Sequence, residues 1–315
     1  MAKNKVWIII FFAIIIYIAM GVYVDFEKLS LTISHFRWQY FLLLIFLVTI
    51  EYFIRYIKWD IFLKIAGVRL DPKESLFVFF SGLSMIVTPG KLGEIWKSWL
   101  IRDISGDELS KTLPAVIMDR LTDVVSLILL SFTGIFYYRD SMSLLIILSL
   151  SCAVFYIAIR SRTISRKMKT FIEKRFGKYT NNMQLMHEIM NKAMEPKVFV
   201  SLSMLNALAW FFECMGFYYV IMGFGQSMNI SLSTFIFSFS SLAGGVSMIP
   251  GGIGVTEAGV SGLLMLNGIS PAVSVGAALI LRMGSFWYGA ILGFTVYVLF
   301  KRRIIKDKSL SKVDI

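Results

Sequence analysis

Two apolar stretches of this sequence are interrupted by the same Pro-Gly element before they are long enough to cross a bilayer. They are Ser75–Thr88 and Ser233–Ile249. A helix needs roughly 20 residues to cross about 30 Å of hydrocarbon. We therefore expect each stretch to enter the membrane part of the way, turn at its Pro-Gly and return as a helical hairpin. The predicted tips are Pro89, Gly90 and Gly93 in the first hairpin, and Pro250, Gly251, Gly252 and Gly254 in the second.

The composition places these hairpins in a membrane protein. Hydrophobic residues make up 57% of the chain, charged residues 17%, and the mean hydropathy is +0.72. These values predict an all-α, polytopic membrane protein. We expect six full spans, at about 6–23, 40–57 (with an extension to 66 left open), 113–137, 143–159, 198–222 and 272–300.

The positions of the basic residues predict the topology. The net charge of +12 comes from Lys and Arg in segments between spans, which argues against nucleic-acid binding. With the N-terminus in the cytoplasm, that side collects residues 55–73, 102, 111, the run 160–178 and the tail 301–312. The opposite side holds only Lys28, Arg37 and Arg139. This asymmetry predicts a plasma-membrane protein with both termini in the cytoplasm.

The same topology makes the two hairpins point in opposite directions, because three full spans separate them. This is the pattern of an inverted repeat within one transmembrane domain, 1–315. Its halves are about 40–159 and 198–300, joined by a basic amphipathic cytoplasmic segment, 160–197. The halves also match in detail, since Pro89 precedes Arg120 by 31 residues and Pro250 precedes Arg282 by 32.

Ionisable residues inside the spans are the candidates for function, because burying a charge in a membrane is costly and usually requires a partner or a cavity. Lys91, Arg120 and Arg282 form a candidate site for a phosphate. Glu94 and Glu257 lie just after the tips, where they would cap a helix, bind an amine or carry a proton. Arg55 and Asp123 complete the predicted substrate-binding set.

Structural roles remain open for several of these charges. Glu51 with Arg55, and Asp119 or Asp123 with Arg120, would form static ion pairs. Lys97 and Arg102 would extend to the inner interface, and Glu213 would bond to Asn206.

The sequence gives little support for a disulfide framework, a metal site or an enzyme active site. Cys152 and Cys214 lie within apolar spans, and His35 and His187 are far apart, so we predict no disulfide framework, no metal and no cofactor. The carboxylates are not paired for acid–base chemistry, no P-loop motif occurs, and we predict that the protein is not an enzyme.

Four segments resemble the lysylphosphatidylglycerol synthase transmembrane-region family, the membrane part of the multiple peptide resistance factor. They are "SLFVFFSGLSMIVTPGKLGEIWKSWLI" at 75–101, "MIPGGIGVTEAG" at 248–259, "RYIKWDIFL" at 55–63 and "DRLTDVVSL" at 119–127. The resemblance implies a stand-alone flippase-like member that moves a phospholipid or a polyprenyl-phosphate-linked headgroup between leaflets. This chain has Lys91 and Lys97 where the family often has Arg, and only fifteen residues follow Phe300, so lipid aminoacylation by this chain alone is not expected.

The predicted function is translocation of a phosphate-bearing lipid headgroup, and the expected partners are membrane lipids with anionic headgroups. A homodimer and a separate lipid-modifying enzyme are also considered as partners. Two alternatives remain open: a secondary transporter of a small soluble solute, and a non-transporting partner of a lipid-modifying or glycosylation complex.

Overall fold

The computed structural model describes residues 2–88, 93–134, 136–137, 142–161 and 180–311. Regular structure in these ranges is entirely helical, which confirms the predicted fold class. The helices are α1 (Ala2–Val24), α2 (Phe26–Ser34), α3 (Gln39–Ile65), α4 (Pro72–Leu83), α5 (Ile95–Ser105), α6 (Leu109–Ser131), α7 (Met142–Arg160), α8 (Thr180–Ala193), α9 (Pro196–Gly223), α10 (Ile230–Val246), α11 (Val255–Leu266), α12 (Pro271–Arg282) and α13 (Tyr288–Ser311).

Among the residues that the structure describes, four helical segments are long and apolar enough to cross a membrane. They are α3, α7, α9 and the continuous segment Pro271–Ile304, in which a π-helical turn at Met283–Trp287 joins α12 to α13. The other two predicted spans overlap α1 and α6. Helix α6 is 23 residues long but carries several charges, and it ends at Ser131 rather than at Tyr137. The chain is thus a polytopic helical membrane protein, and the count of six spans stays a prediction.

The antiparallel pair of α3 and α9 forms the centre of the fold. The Arg37 N–H, just before α3, donates to the Gly223 carbonyl at the end of α9 (3.1 Å). Further along, the side chain of Leu44 occupies the space that a Cβ on Gly216 would need. Small residues of this kind let two membrane helices approach closely.

The first hairpin begins at the C-terminal end of α3. The Ser75 hydroxyl of α4 donates to Asp60 Oδ1 of α3 (2.7 Å), and Glu74 accepts from the Asp71 N–H (3.0 Å) to cap α4. Helix α4 continues into a 3₁₀ turn, Ser84–Val87, and α5 packs back against α4.

The second hairpin begins at the other end of the α3–α9 pair. Helix α10 starts seven residues beyond the end of α9, and α11 packs back along it after the turn Pro250–Gly252. Gly251 and Gly252 adopt left-handed conformations (φ 60° and 64°) that favour glycine. The turn Ser84–Val87 of the first hairpin contacts Pro250–Gly252. The two hairpins therefore start at opposite ends of the central pair and meet near its middle.

Part of the predicted amphipathic linker lies outside the described residues, at 162–179. The described part, α8, packs against α6. Ile189, Met190 and Ala193 are buried on its inner face.

The close contact between Gly293 of α13 and the first hairpin gives a test of this packing. A Cβ on Gly293 would lie 2.7 Å from the Phe80 carbonyl oxygen, and backbone cannot move aside as a flexible side chain can. We predict that Gly293→Ala destabilises the protein by about 1–3 kcal/mol, the usual effect of overpacking. A Cβ on Gly262 of α11 meets open space, so Gly262→Ala is the matched control. Thermal unfolding in detergent measures both, and equal midpoints would contradict the packing described.

Candidate functional site

Three charged side chains of α3 lie on one buried face. Glu51, Arg55 and Lys58 are spaced four and three residues apart, which places them on the same side of a helix. Arg55 Nη1 donates to Glu51 Oε1 (2.9 Å), so the pair expected from the sequence is present. None of the three is more than 5% exposed. Such charges are tolerated only where opposite charges or hydrogen bonds compensate them.

Lys58 is the centre of this charged cluster. Its ammonium group lies 2.8 Å from Asp119 Oδ1 and 3.1 Å from Asp123 Oδ1, both on α6. It also donates to Asn206 Oδ1 of α9 (2.7 Å) and to Thr122 Oγ1 (3.1 Å). A single buried ammonium thus connects α3, α6 and α9.

The same ion pair follows each hairpin tip. Arg120 Nη1 of α6 lies 3.0 Å from Glu94 Oε1, and Arg282 Nε of α12 lies 2.9 Å from Glu257 Oε1. In both cases a glutamate just after the tip binds an arginine of the next helix. The matched spacing is thus accompanied by matched contacts, and the inverted repeat itself stays a prediction.

The two arginines differ in their remaining contacts. Arg120 also binds Asp119 (2.6 Å) and Asp123 (2.8 Å), so carboxylates surround it. Arg282 donates to the Gly251 carbonyl of the second tip (2.7 Å), and its guanidinium lies 4.1 Å from the centroid of the Phe286 ring. Arg282 therefore binds both the backbone of the second tip and the side chain of Glu257.

The second tip uses its own backbone N–H groups. The Gly252 N–H donates to the Ile249 carbonyl (2.9 Å), the Ile253 N–H to the Pro250 carbonyl (3.1 Å), and the Gly254 N–H to Glu257 Oε2 (2.8 Å). Glu257 thus caps α11 and binds Arg282 at once. The Gly252, Ile253 and Gly254 N–H groups therefore all have acceptors within the second hairpin.

A cavity of about 80 Å³, with several charged side chains in its lining, lies between α3, α9 and the turn Pro250–Gly252. Its basic residues are Arg55 and Arg282, and its acidic residues are Glu51 and Glu213. At ~10–15 Å³ per water molecule, it has room for about five to eight waters, which is enough for the five non-hydrogen atoms of a phosphate group. Its wall also includes Ile86 of the first hairpin and Gly251 and Gly252 of the second.

The predicted site residues fall into three groups. Arg55 and Arg282 line the cavity. Glu94, Arg120, Asp123 and Glu257 belong to the ion pairs around it. Lys91, with Pro89 and Gly90 of the first tip, lies outside the described residues, whereas the Gly93 N–H donates to Thr88 Oγ1 (2.7 Å).

Two structural roles expected from the sequence need correction. Lys97 does not extend to the interface: it is 2% exposed, lies 4.8 Å from the centroid of the Trp59 ring, and pairs with Glu94 (3.5 Å). Leu100, Ile101 and Ile104 on the same face of α5 are also buried, so the Lys97 side chain lies inside the protein with them. Glu213 does not depend on Asn206, whose amide donates to Asp123 Oδ1 (3.1 Å) and to Ser126 (3.0 Å).

Sequence reasoning placed Lys58 among the cytoplasmic charges and did not select Trp210. Both belong to the cluster, since Trp210 Nε1 donates to Asp123 Oδ1 (3.4 Å). Helical spacing would have found them: Lys58 follows Arg55 by three residues, and Asn206, Trp210 and Glu213 recur at four and three.

The fold and the buried charges define a polytopic helical membrane protein with an ionic cluster between two helical hairpins. The chain belongs to the family described as "Lysylphosphatidylglycerol synthase TM region", whose sequence profile matches residues 8–293. The family predicted from the motifs is therefore confirmed.

Several archaeal proteins named "UPF0104 membrane protein" are similar to this chain. One from Pyrococcus horikoshii is 24% identical over 302 residues, covering 86% of this chain and 90% of the relative. One from Methanocaldococcus jannaschii is 22% identical and covers 72% and 97%. A second from that organism is 20% identical and covers 97% of both chains. No solved structure matches the chain.

Removing Lys58 tests whether the cluster supports the fold. In Lys58→Met, Asp119 and Asp123 lose their shared ammonium, and breaking a buried ion pair typically costs about 3–5 kcal/mol. We expect a large fall in the thermal midpoint and in yield. The control is Lys64→Met on the same helix, whose side chain is 73% exposed and whose pair with Asp60 contributes little. Wild-type stability in Lys58→Met would show that the cluster does not support the fold.

Proposed function

We propose that this protein moves a phosphate-bearing lipid headgroup between leaflets, with the phosphate bound in the cavity between the hairpin tips. One observation carries the proposal. The Nε–H of Arg55, a residue that lines the cavity, is buried and has no acceptor among the described residues. A buried donor without an acceptor costs about 1–3 kcal/mol, and more when the group is charged. An anion in the cavity would supply the missing acceptor.

Arg282 makes the site suited to phosphate rather than to any anion. It lines the same cavity as Arg55 but comes from the other half of the chain. Arginine presents a planar set of donors that matches phosphate oxygens. A phosphate held by both guanidinium groups would therefore connect the two halves, and its release would free them to move.

Arg120 has a different role in this proposal. It is absent from the residues that line the cavity, and it is surrounded by Glu94, Asp119 and Asp123. We propose that it joins the first hairpin to α6, as Arg282 joins the second to α12. Lys91 remains a proposed phosphate ligand that would approach from the first tip.

A lipid substrate is favoured over a soluble one by the family. The name of the family associates this membrane region with a lipid synthase. The cavity has room for a phosphate group but not for a lipid's tails, so the tails would stay in the bilayer while the headgroup crosses. A separate lipid-modifying enzyme is the proposed partner, and the plasma membrane with cytoplasmic termini is the proposed location.

Replacing Arg282 tests the proposal in proteoliposomes that contain fluorescent phosphatidylglycerol. We predict that Arg282→Gln lowers translocation of the probe at least tenfold, because one charged contact to the phosphate, worth about 1.5–3 kcal/mol, is lost. Quenching of outer-leaflet fluorescence by dithionite measures the rate. A labelled polyprenyl phosphate in a parallel assay distinguishes the two lipid classes.

Two controls separate loss of binding from loss of folding. Arg282→Gln leaves Glu257 without its cation, so Arg282→Gln with Glu257→Gln restores charge balance and is expected to fold yet remain inactive. Arg303→Gln removes an exposed arginine and should transport normally. Unchanged rates in Arg282→Gln and in Arg55→Gln would remove the phosphate site. Transport of a soluble phosphate ester instead of either lipid would favour the solute carrier.

A further inference from the structure

Two acidic side chains from different helices meet in the cavity. Glu51 of α3 and Glu213 of α9 both line it, and their carboxyl groups lie within hydrogen-bonding reach of each other. Glu51 is fully buried and Glu213 is 7% exposed. Neither residue belongs to the set proposed above to bind phosphate.

One oxygen of this pair lacks a donor. Glu51 Oε1 accepts from Arg55, but Glu51 Oε2 has no hydrogen-bond donor among the described residues. The neighbouring carboxyl group of Glu213 interacts with that of Glu51 and is itself an acceptor when ionised. Two ionised carboxylates in contact repel each other strongly. A single proton shared by the two carboxyl groups replaces this repulsion with a hydrogen bond.

The charge balance of the surrounding cluster also favours one bound proton. The buried and half-buried ionisable groups of the described cluster comprise five basic residues (Arg55, Lys58, Lys97, Arg120 and Arg282) and six acidic residues (Glu51, Glu94, Asp119, Asp123, Glu213 and Glu257). With every group ionised, the described cluster has one negative charge in excess. One proton on the acidic pair makes it neutral.

Several elements that pack around Glu51 and Glu213 contribute groups that face these two carboxyl groups. Arg55 and Tyr52 come from α3, Cys214 from α9, Ser285 from the π-helical turn and Arg282 from α12. The nearest cations are thus Arg55 and Arg282, the two arginines of the cavity. Any change in the charge of the pair acts directly on the groups proposed to hold the phosphate.

We propose that Glu51 and Glu213 together form a binding site for one proton, and that this proton is the coupling ion of the transporter. The second part rests on the proposed function. With the proton bound, the pair carries one negative charge, and Arg55 and Arg282 attract the anionic headgroup. When the proton leaves, the pair carries two negative charges that compete with the phosphate for the same guanidinium groups. Headgroup and proton therefore bind together and leave together.

The bound proton can be detected in an experiment that does not depend on a transport assay. Infrared difference spectroscopy of the purified protein detects the carbonyl stretch of a protonated carboxylic acid. At neutral pH we expect one such band from a buried acid in the wild type. The band should be lost in Glu213→Gln and in Glu51→Gln, and kept in Glu188→Gln, which changes an exposed residue of α8. Two variants are needed because Glu51→Gln also weakens the contact to Arg55.

Coupling is measured by translocation of fluorescent phosphatidylglycerol across a pH gradient. The wild-type rate should change by up to about tenfold per pH unit, the limit for one titrating proton. Glu213→Gln, which keeps the shape of the pair but cannot titrate, should lose this dependence. Absence of the band in the wild type, or its persistence in both variants, would overturn the proton site. A rate that follows Na⁺ rather than pH would overturn the role of the proton as coupling ion. A band that behaves as expected in a protein without lipid transport would leave the proton site standing and remove the proposed function.

Discussion

The structure depends on one constraint: a charge inside a membrane protein must have its counter-charge beside it. Lys58 shows this most clearly, because its ammonium is fully buried and touches carboxylates from α6 and an amide from α9. Removing Lys58 leaves Asp119 and Asp123 without their shared cation in a medium of low dielectric constant. The cluster therefore fixes how α3, α6 and α9 sit against one another, and with them the position of Arg55 at the cavity.

The hairpins, which lie away from Lys58, also need a partner for each buried polar group. A re-entrant turn has backbone groups that cannot be left unsatisfied at membrane depth. The second tip meets this need with its own N–H groups and with Arg282, which binds both the Gly251 carbonyl and Glu257. The stability of the tip and the proposed binding of substrate thus share one side chain. A ligand that draws Arg282 away would loosen the tip, which is what a carrier needs in order to change its conformation.

Much of this arrangement is predictable from the sequence because its signals are periodic or positional. The Pro-Gly elements predicted the broken helices, and the 31- and 32-residue spacings selected the arginines that pair with Glu94 and Glu257. The spacing of Glu51 and Arg55 predicted their contact. The assignment of lysines by charge alone was wrong. Sequence reasoning placed Lys58 and Lys97 near the membrane interface, and both are buried. Contacts between helices, such as Glu51 with Glu213, leave no local pattern, so only the three-dimensional fold shows them.

The central claim is that the two hairpins enter from opposite faces of the membrane and enclose the charged cavity between their tips. Cysteine labelling tests this most directly, in a background without Cys152 and Cys214. Lys73→Cys marks the start of the first hairpin and Gln226→Cys the approach to the second, and both positions are exposed. A membrane-impermeant maleimide should label position 226 in intact cells and position 73 only in inverted vesicles. Labelling of both positions from the same side would contradict the account.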